Sequence, residues 1–151
     1  MDKASSSIAI AADKHAVMTV IADLEAYPEW STAIKHVVVE QTGADGRAAS
    51  ATFTLDAGVL KDTYTLAYAW SGDDRVDWHL VKGGSMKAQE GTYELVDAPG
   101  GTEVTYRLAV DLKVPMLGVF KRKAEKLIMD TALKGLKKRV ESGSGTGAHV
   151  I

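Results

Sequence analysis

The sequence predicts an α+β fold in which a curved antiparallel sheet wraps a long C-terminal helix. Three observations lead there. Pro115 to Glu141 runs for about seven turns without a second proline. On one side of it Leu117, Phe120, Ala124, Leu127, Ile128 and Thr131 recur at helical spacing, and the stripe drifts on through Ala132, Leu136 and Val140. Between about residues 37 and 113 the chain alternates apolar and polar residues, with turn residues about every dozen positions. A helix this long cannot bury its apolar side alone, and strands that are apolar on one face supply the surface it needs.

The elements follow in order. Ile8 and Ile10 alternate with small residues in a short first strand. Asp13 is a good N-cap, and Val17, Val20, Ile21 and Leu24 follow at helical spacing, so a helix of about three turns runs from Lys14 to Leu24. Pro28 breaks it, and Tyr27 before the proline is pushed away from helical geometry. A tight bend or a second short helix ends near Trp30.

Val37 and Val39 share one face of the next strand, which stops at Gly43, Asp45 and Gly46. Ala51, Phe53 and Leu55 then face one way, against Ser50, Thr52, Thr54 and Asp56. A connection at Gly58 leads to Tyr64, Leu66, Tyr68 and Trp70 on one face. Gly72 and Asp73 turn the chain; Trp78 and Leu80 oppose Asp77 and His79; Gly83 and Gly84 turn it again. From Ser85 to Val96 the alternation is open to two readings, because a bulge at Gly91 would flip it. After Pro99, Gly100 and Gly101 the pattern is clean, with Val104, Tyr106, Leu108, Val110 and Leu112 inward. Sequential strands are expected to pair as antiparallel neighbours.

With 151 residues and no internal repeat, one domain over 1–141 is expected, followed by a Gly/Ser-rich flexible tail, 142–151. Hydrophobic residues at 46% and charged residues at 25% describe an ordinary soluble domain. There is no cysteine, which excludes disulfides and thiolate chemistry. No apolar run reaches membrane-spanning length, and Met1 to Ser7 lacks a signal core, so the protein is read as cytoplasmic. The net charge of −2 gives no general pull on nucleic acid. Residues 115–141 carry eight Lys/Arg against three Asp/Glu, a balance of +5, which leaves −7 elsewhere. A solvated outer helix face explains this better than contact with anionic lipid, the weaker membrane reading.

Asp23 followed by Tyr27, Pro28 and Trp30 is the most specific local pattern. Gly91-Thr92-Tyr93, Gly101-Thr102-Glu103-Val104 and Val114-Pro115-Met116 accompany it. With these stretches the chain, over about 3–141, resembles the START-like or SRPBCC superfamily, with its polyketide cyclase/dehydrase-like and coenzyme-Q-binding-like members. It looks most like the short, single-domain bacterial ones. The resemblance implies the helix-grip fold: seven antiparallel strands curled round the C-terminal helix, one or two short helices after the first strand, and an apolar cavity between sheet and helix. It implies no single activity, since the superfamily includes lipid carriers, hormone receptors and cyclases.

Strand alternation by itself sends Phe53, Tyr64, Tyr68, Trp78, Tyr93 and Tyr106 toward the helix. Several inward tyrosines favour a cavity with polar anchors over a dry core, because a buried hydroxyl wants a partner. The candidate ligand-binding set adds Trp30, Leu55, Leu66, Leu80, Leu108 and Val110, with Phe120, Ala124, Leu127 and Ile128 from the helix. Lys87 and Gln89 join it if no bulge turns them outward. Trp30 is either an exposed lid, acting with the Gly58 loop, or a plug against the long helix. His15, His36, His79 and His149 share no metal-ligand spacing, so no metal, cofactor or catalytic residue is assigned. The expected function is binding, transport or sequestration of a small hydrophobic molecule such as a lipid, isoprenoid or polyketide. The alternative is a cyclase/dehydratase-like enzyme using cavity Tyr or Lys groups for proton transfer.

Overall fold

The computed structural model describes residues 3–58, 60–114 and 117–149, with side chains through 143. Its elements are β1 (Ala4–Ile10), α1 (Lys14–Ala22), a 3-10 helix (Leu24–Glu29), β2 (Ile34–Thr42), β3 (Ala48–Asp56), β4 (Lys61–Ser71), β5 (Arg75–Gly83), β6 (Met86–Ala98), β7 (Gly101–Leu112) and α2 (Gly118–His149). The seven strands form one sheet in the order β1-β7-β6-β5-β4-β3-β2, and every neighbouring pair is antiparallel. β2 to β7 are successive hairpins; α1 and the 3-10 helix carry the chain from one edge, β1, to the other, β2. This is the α+β arrangement the sequence predicts.

Asp13 caps α1 by accepting from the Ala16 backbone N–H at 2.8 Å, which satisfies one orphan amide of the first turn. Val17, Met18 and Ile21 are the side it buries. α1 stops at Ala22, two residues short of the predicted Leu24, and the next segment is the short-helix alternative rather than a bend. Tyr27 closes the junction: its hydroxyl donates to the Ile21 carbonyl at 2.5 Å. The conspicuous Tyr27-Pro28 pair therefore ends one helix and shapes the next.

α2 packs on β1, β7 and α1. Its buried residues are Ala124, Glu125, Met129, Ala132, Leu133, Leu136 and Val140. This corrects the expected stripe: Leu117, Phe120 and Leu127 are exposed, at 69%, 47% and 47%. The reason is Glu125. Its carboxylate accepts from the Val110 backbone N–H at 2.9 Å, on the part of β7 beyond the β1 pairing, which ends at Ala4↔Leu108. That bond turns the Glu125 side inward, and at about 100° per residue Leu127 then points away. Further along, Lys137 donates to the Ala9 carbonyl at 2.7 Å, and Glu141 accepts from Ala11 N–H at 2.9 Å, which ties the helix to the end of β1. The predicted start at Pro115 lies outside the described residues; the helical run continues through the Gly/Ser-rich stretch to His149. Among the described residues no helix is long and apolar enough to cross a membrane.

At Gly135 the backbone of α2 lies against the Trp30 carbonyl, at the end of the 3-10 helix. A Cβ there would overlap the Trp30 carbonyl oxygen, so only glycine allows the approach. Replacing a helical glycine by alanine ordinarily stabilises by about 1 kcal/mol. Gly135→Ala is expected to destabilise instead, by about 1–3 kcal/mol, because backbone has to move. Urea unfolding measures this; an unchanged or raised midpoint would contradict the close contact.

Candidate functional site

The inward side chains of the sheet form a continuous aromatic band. Phe53 stacks on Tyr64, its register partner across β3 and β4, at 5.5 Å between ring centres. Tyr68 meets its partner Trp78 at 5.8 Å, and Trp78 meets Tyr93 at 5.4 Å and Tyr106 at 5.7 Å. Tyr93 and Tyr106, paired across β6 and β7, are 4.5 Å apart. At the other end Tyr27 links Phe53, at 6.2 Å, to Trp30, at 4.7 Å. Each such pair contributes about 0.5–1.5 kcal/mol beyond area burial, so the band is a stiff wall.

Between this wall and α2 lies a cavity of about 50 Å³, counted as space open to the centre of a water molecule. At about 10–15 Å³ per water it holds a few waters or one small ring. Trp30, Phe53, Leu55, Tyr64, Leu66, Tyr68, Trp78, Gln89, Tyr93, Tyr106, Leu108, Val110 and Ile128 from the sequence-derived set line it. The structure adds Tyr27, Ser31, Ala33, Ile34, Met86 and Ala132.

Five members of that set stand elsewhere. Phe120 and Leu127 are half exposed on the outer side of α2, for the reason given above. Ala124 is buried without reaching the cavity, and Leu80 is partly buried against the core without lining it. Lys87 faces solvent. The register of β6 against β7 slips between Met86 and Ala88, so the bulge falls at Lys87 rather than at Gly91. Met86 stays inward ahead of the extra residue and Gln89, Gly91, Tyr93 and Leu95 stay inward behind it. The two alternatives for Lys87 and Gln89 are thus split by the bulge.

Gln89 organises the polar part of the wall. It accepts from Trp78 Nε1–H at 3.0 Å and its amide faces Met86 Sδ at 3.2 Å. Gly91 leaves room, as its sequence position suggests, but the Trp78 indole fills that room: a Cβ at 91 would overlap its ring. Trp30 is only 7% exposed, so it is the plug against α2 and not the exposed lid, and Gly58 does not line the cavity. The Trp30 indole N–H is buried and, among the described residues, has no acceptor.

Burial pushes the phenols of Tyr27, Tyr64, Tyr68, Tyr93 and Tyr106 far above the usual tyrosine range, and mutual repulsion between neighbouring phenolates adds to it for all but Tyr106. They are neutral hydrogen-bond donors at any ordinary pH. Desolvation also raises the Glu125 carboxyl, opposed by its bond from Val110 N–H. The charged clusters lie outside: Arg75 bonds Asp77 at 2.9 Å and approaches Glu94, which also takes Arg107, on the outer face of the sheet. Among the described residues no group of three His, Cys, Asp or Glu side chains is arranged to hold a metal ion.

A family model described as polyketide cyclase / dehydrase and lipid transport matches residues 1–141. No curated protein sequence matches the chain. Among solved structures, a START superfamily protein from Mycobacterium smegmatis is 23% identical, with a TM-score of 0.85 over 93% of this chain and 97% of that one. A protein from Thermus thermophilus is also 23% identical, with a TM-score of 0.80 over 95% and 99%. The Zhui aromatase/cyclase from Streptomyces is 11% identical, with a TM-score of 0.68 over 93% of each. At these identities the likeness establishes the START-like fold.

The Glu125 contact predicts a specific pH effect. Its carboxyl is raised in the folded state, so the folded chain binds the proton more tightly than the unfolded one. That contribution to stability is present at low pH and is lost as pH climbs from the ordinary glutamate value of about 4.3 through the raised value. Glu125→Gln keeps an oxygen for Val110 N–H and cannot ionise. Unfolding free energies of the two proteins, measured from pH 4 to 7, should shift in favour of Glu125→Gln as pH rises; parallel curves would contradict a desolvated carboxylate.

Proposed function

This chain belongs to the polyketide cyclase/dehydrase and lipid transport family, and from that premise we propose that it binds a small hydrophobic ligand between the sheet and α2. The observation that carries the reading is the cavity's lining: aromatic and aliphatic walls, neutral hydroxyls, and no formally charged side chain among its described lining residues. Apolar surface removed from water there contributes about 25 cal/mol per Å². Transport or sequestration of a lipid, isoprenoid or polyketide follows from the same chemistry. The cavity holds about one ring, so a longer ligand enters by displacing side chains. Tyr68 on β4 and Ile128 on α2 are the lining residues with partial solvent exposure, and entry past them replaces the Trp30 and Gly58 gate.

A cyclase/dehydratase-type reaction is the second reading, which the aromatase/cyclase likeness in fold keeps in view. Enolisation needs a base and an acid of matched strength. The cavity phenols are pushed up together rather than apart, and the lining offers them no lysine, histidine or carboxylate. Binding without turnover accounts for this set of groups better.

Native mass spectrometry of protein purified from its own cells tests for a co-purifying apolar mass. A sharper check uses Ala132, a buried α2 residue lining the cavity. Ala132→Leu fills part of the space, and binding of the neutral dye N-phenyl-1-naphthylamine, followed by fluorescence, should weaken about tenfold, the equivalent of roughly 1.4 kcal/mol. Unchanged dye affinity in a folded Ala132→Leu protein would remove the cavity as the binding site.

A further inference from the structure

The rotation of α2 that brings Glu125 onto Val110 has a second result on the outside of the molecule. The sequence favours a solvated basic face with the apolar stripe turned inward, and the first part of the helix departs from that arrangement. Among the described residues eight large hydrophobic side chains are exposed, and five of them, Val114, Leu117, Val119, Phe120 and Leu127, fall within residues 114–127. At about 100° per residue Phe120, Lys123, Leu127, Lys134 and Lys138 lie within about 60° of one another, opposite Glu125, and all five are exposed. Apolar and basic residues thus share one outer side of α2. The charges there are uncompensated. Lys121, Lys126, Lys137 and Arg139 each lie within salt-bridge distance of a carboxylate. Among the described residues Lys123, Lys134 and Lys138 make no ion pair: of the acidic residues in α2, Glu125 points inward, Asp130 takes Lys126, and Glu141 takes Lys137 and Ala11 N–H.

We propose that the outer side of α2 docks on an anionic lipid surface, with Phe120 and Leu127 entering the headgroup layer and Lys123, Lys134 and Lys138 meeting the lipid phosphates and carboxylates. This goes beyond ligand binding in the cavity and does not depend on it. Exposed apolar area alone suits any apolar partner. The three unpaired lysines select a negatively charged one. A second copy of the chain is disfavoured, because a self-complementary contact on this side sets lysines against lysines with no carboxylate to receive them. One helix side that carries bulky apolar residues and lysines together is the form that lies flat in a charged membrane interface.

The test sediments the purified full chain with vesicles of phosphatidylcholine alone, or with a third of it replaced by phosphatidylserine. Binding is expected only with phosphatidylserine, and should fall as salt is raised, since screening shortens the reach of exposed charges. Lys123→Gln, Lys134→Gln and Lys138→Gln should each weaken it about fivefold. Phe120→Ser combined with Leu127→Ser should weaken it at least as much. The chain has no cysteine, so Leu127→Cys carries a single environment-sensitive label. Its emission should shift to the blue on phosphatidylserine vesicles, while the same label at His79→Cys, exposed on the sheet, should not move. Equal binding to phosphatidylcholine alone would overturn the role of the lysines. An unmoved label at position 127, or unchanged binding by the Phe120→Ser/Leu127→Ser protein, would overturn insertion. No sedimentation with phosphatidylserine would overturn the whole proposal; a dimer in sedimentation velocity that Phe120→Ser and Leu127→Ser dissolve would then assign this side to a second copy, and a monomer would leave it to an acidic protein. Should a variant not fold by circular dichroism, the lipid comparison and salt dependence of the unaltered protein decide.

Discussion

The gap between α2 and the sheet is held at separate levels, and the interior depends on that separation. At one level the Trp30 carbonyl sits against Gly135, where no side chain intervenes. Toward the helix start Glu125 accepts from the Val110 N–H, on a stretch of β7 that no described residue of β1 pairs. Past Gly135, Lys137 and Glu141 grip the chain at and just after the end of β1. The helix is thereby fixed in height and rotation on the β1–β7 side of the sheet. The inner faces of β3 to β6 are covered by their own aromatic side chains, and the space left over is the cavity.

That arrangement explains the chemistry of the interior. Large rings meet one another in tilted and stacked contacts along the sheet. The phenols, neutral at working pH in any case, are held neutral far above it by burial, so the chamber is polar in its hydrogen bonds and uncharged in its field. Charges are kept on the outer face, as in the Arg75, Asp77, Glu94 and Arg107 group, where exposed pairs contribute little to stability. Among the described residues the one carboxylate carried inward, that of Glu125, serves a backbone amide rather than the cavity.

Several features of the site could be read in the residues because they depend only on neighbours along the chain. Asp13 as a cap, the glycine turns, and the two-residue period that sends Phe53, Tyr64, Trp78 and Tyr106 inward are all local. Lys87 shows where that logic stops. One extra residue in β6 changes which way a side chain points, and the sequence shows Gly91, the more conspicuous candidate, as the place for it. Ile34 and Met86 line the cavity from strand ends whose alternation is too short to detect. Tyr27 stands out in the sequence as a break before proline, while its place in the wall appears only once its hydroxyl is seen on Ile21.

The sequence by itself determined the class of this protein: one amphipathic helix, seven alternating strands, short turns, and an aromatic inner face with no cysteine or histidine cluster to give it another chemistry. Those are properties of local spacing and side-chain type, and local spacing is enough to specify them. The rotation of α2, the bulge at Lys87, the burial of Trp30 and the size of the cavity were decided only in the tertiary structure. Each depends on atoms far apart in the chain that meet, or fail to meet, across the interior: a carboxylate on a strand amide, a carbonyl against a glycine, an indole N–H left without an acceptor among the described residues.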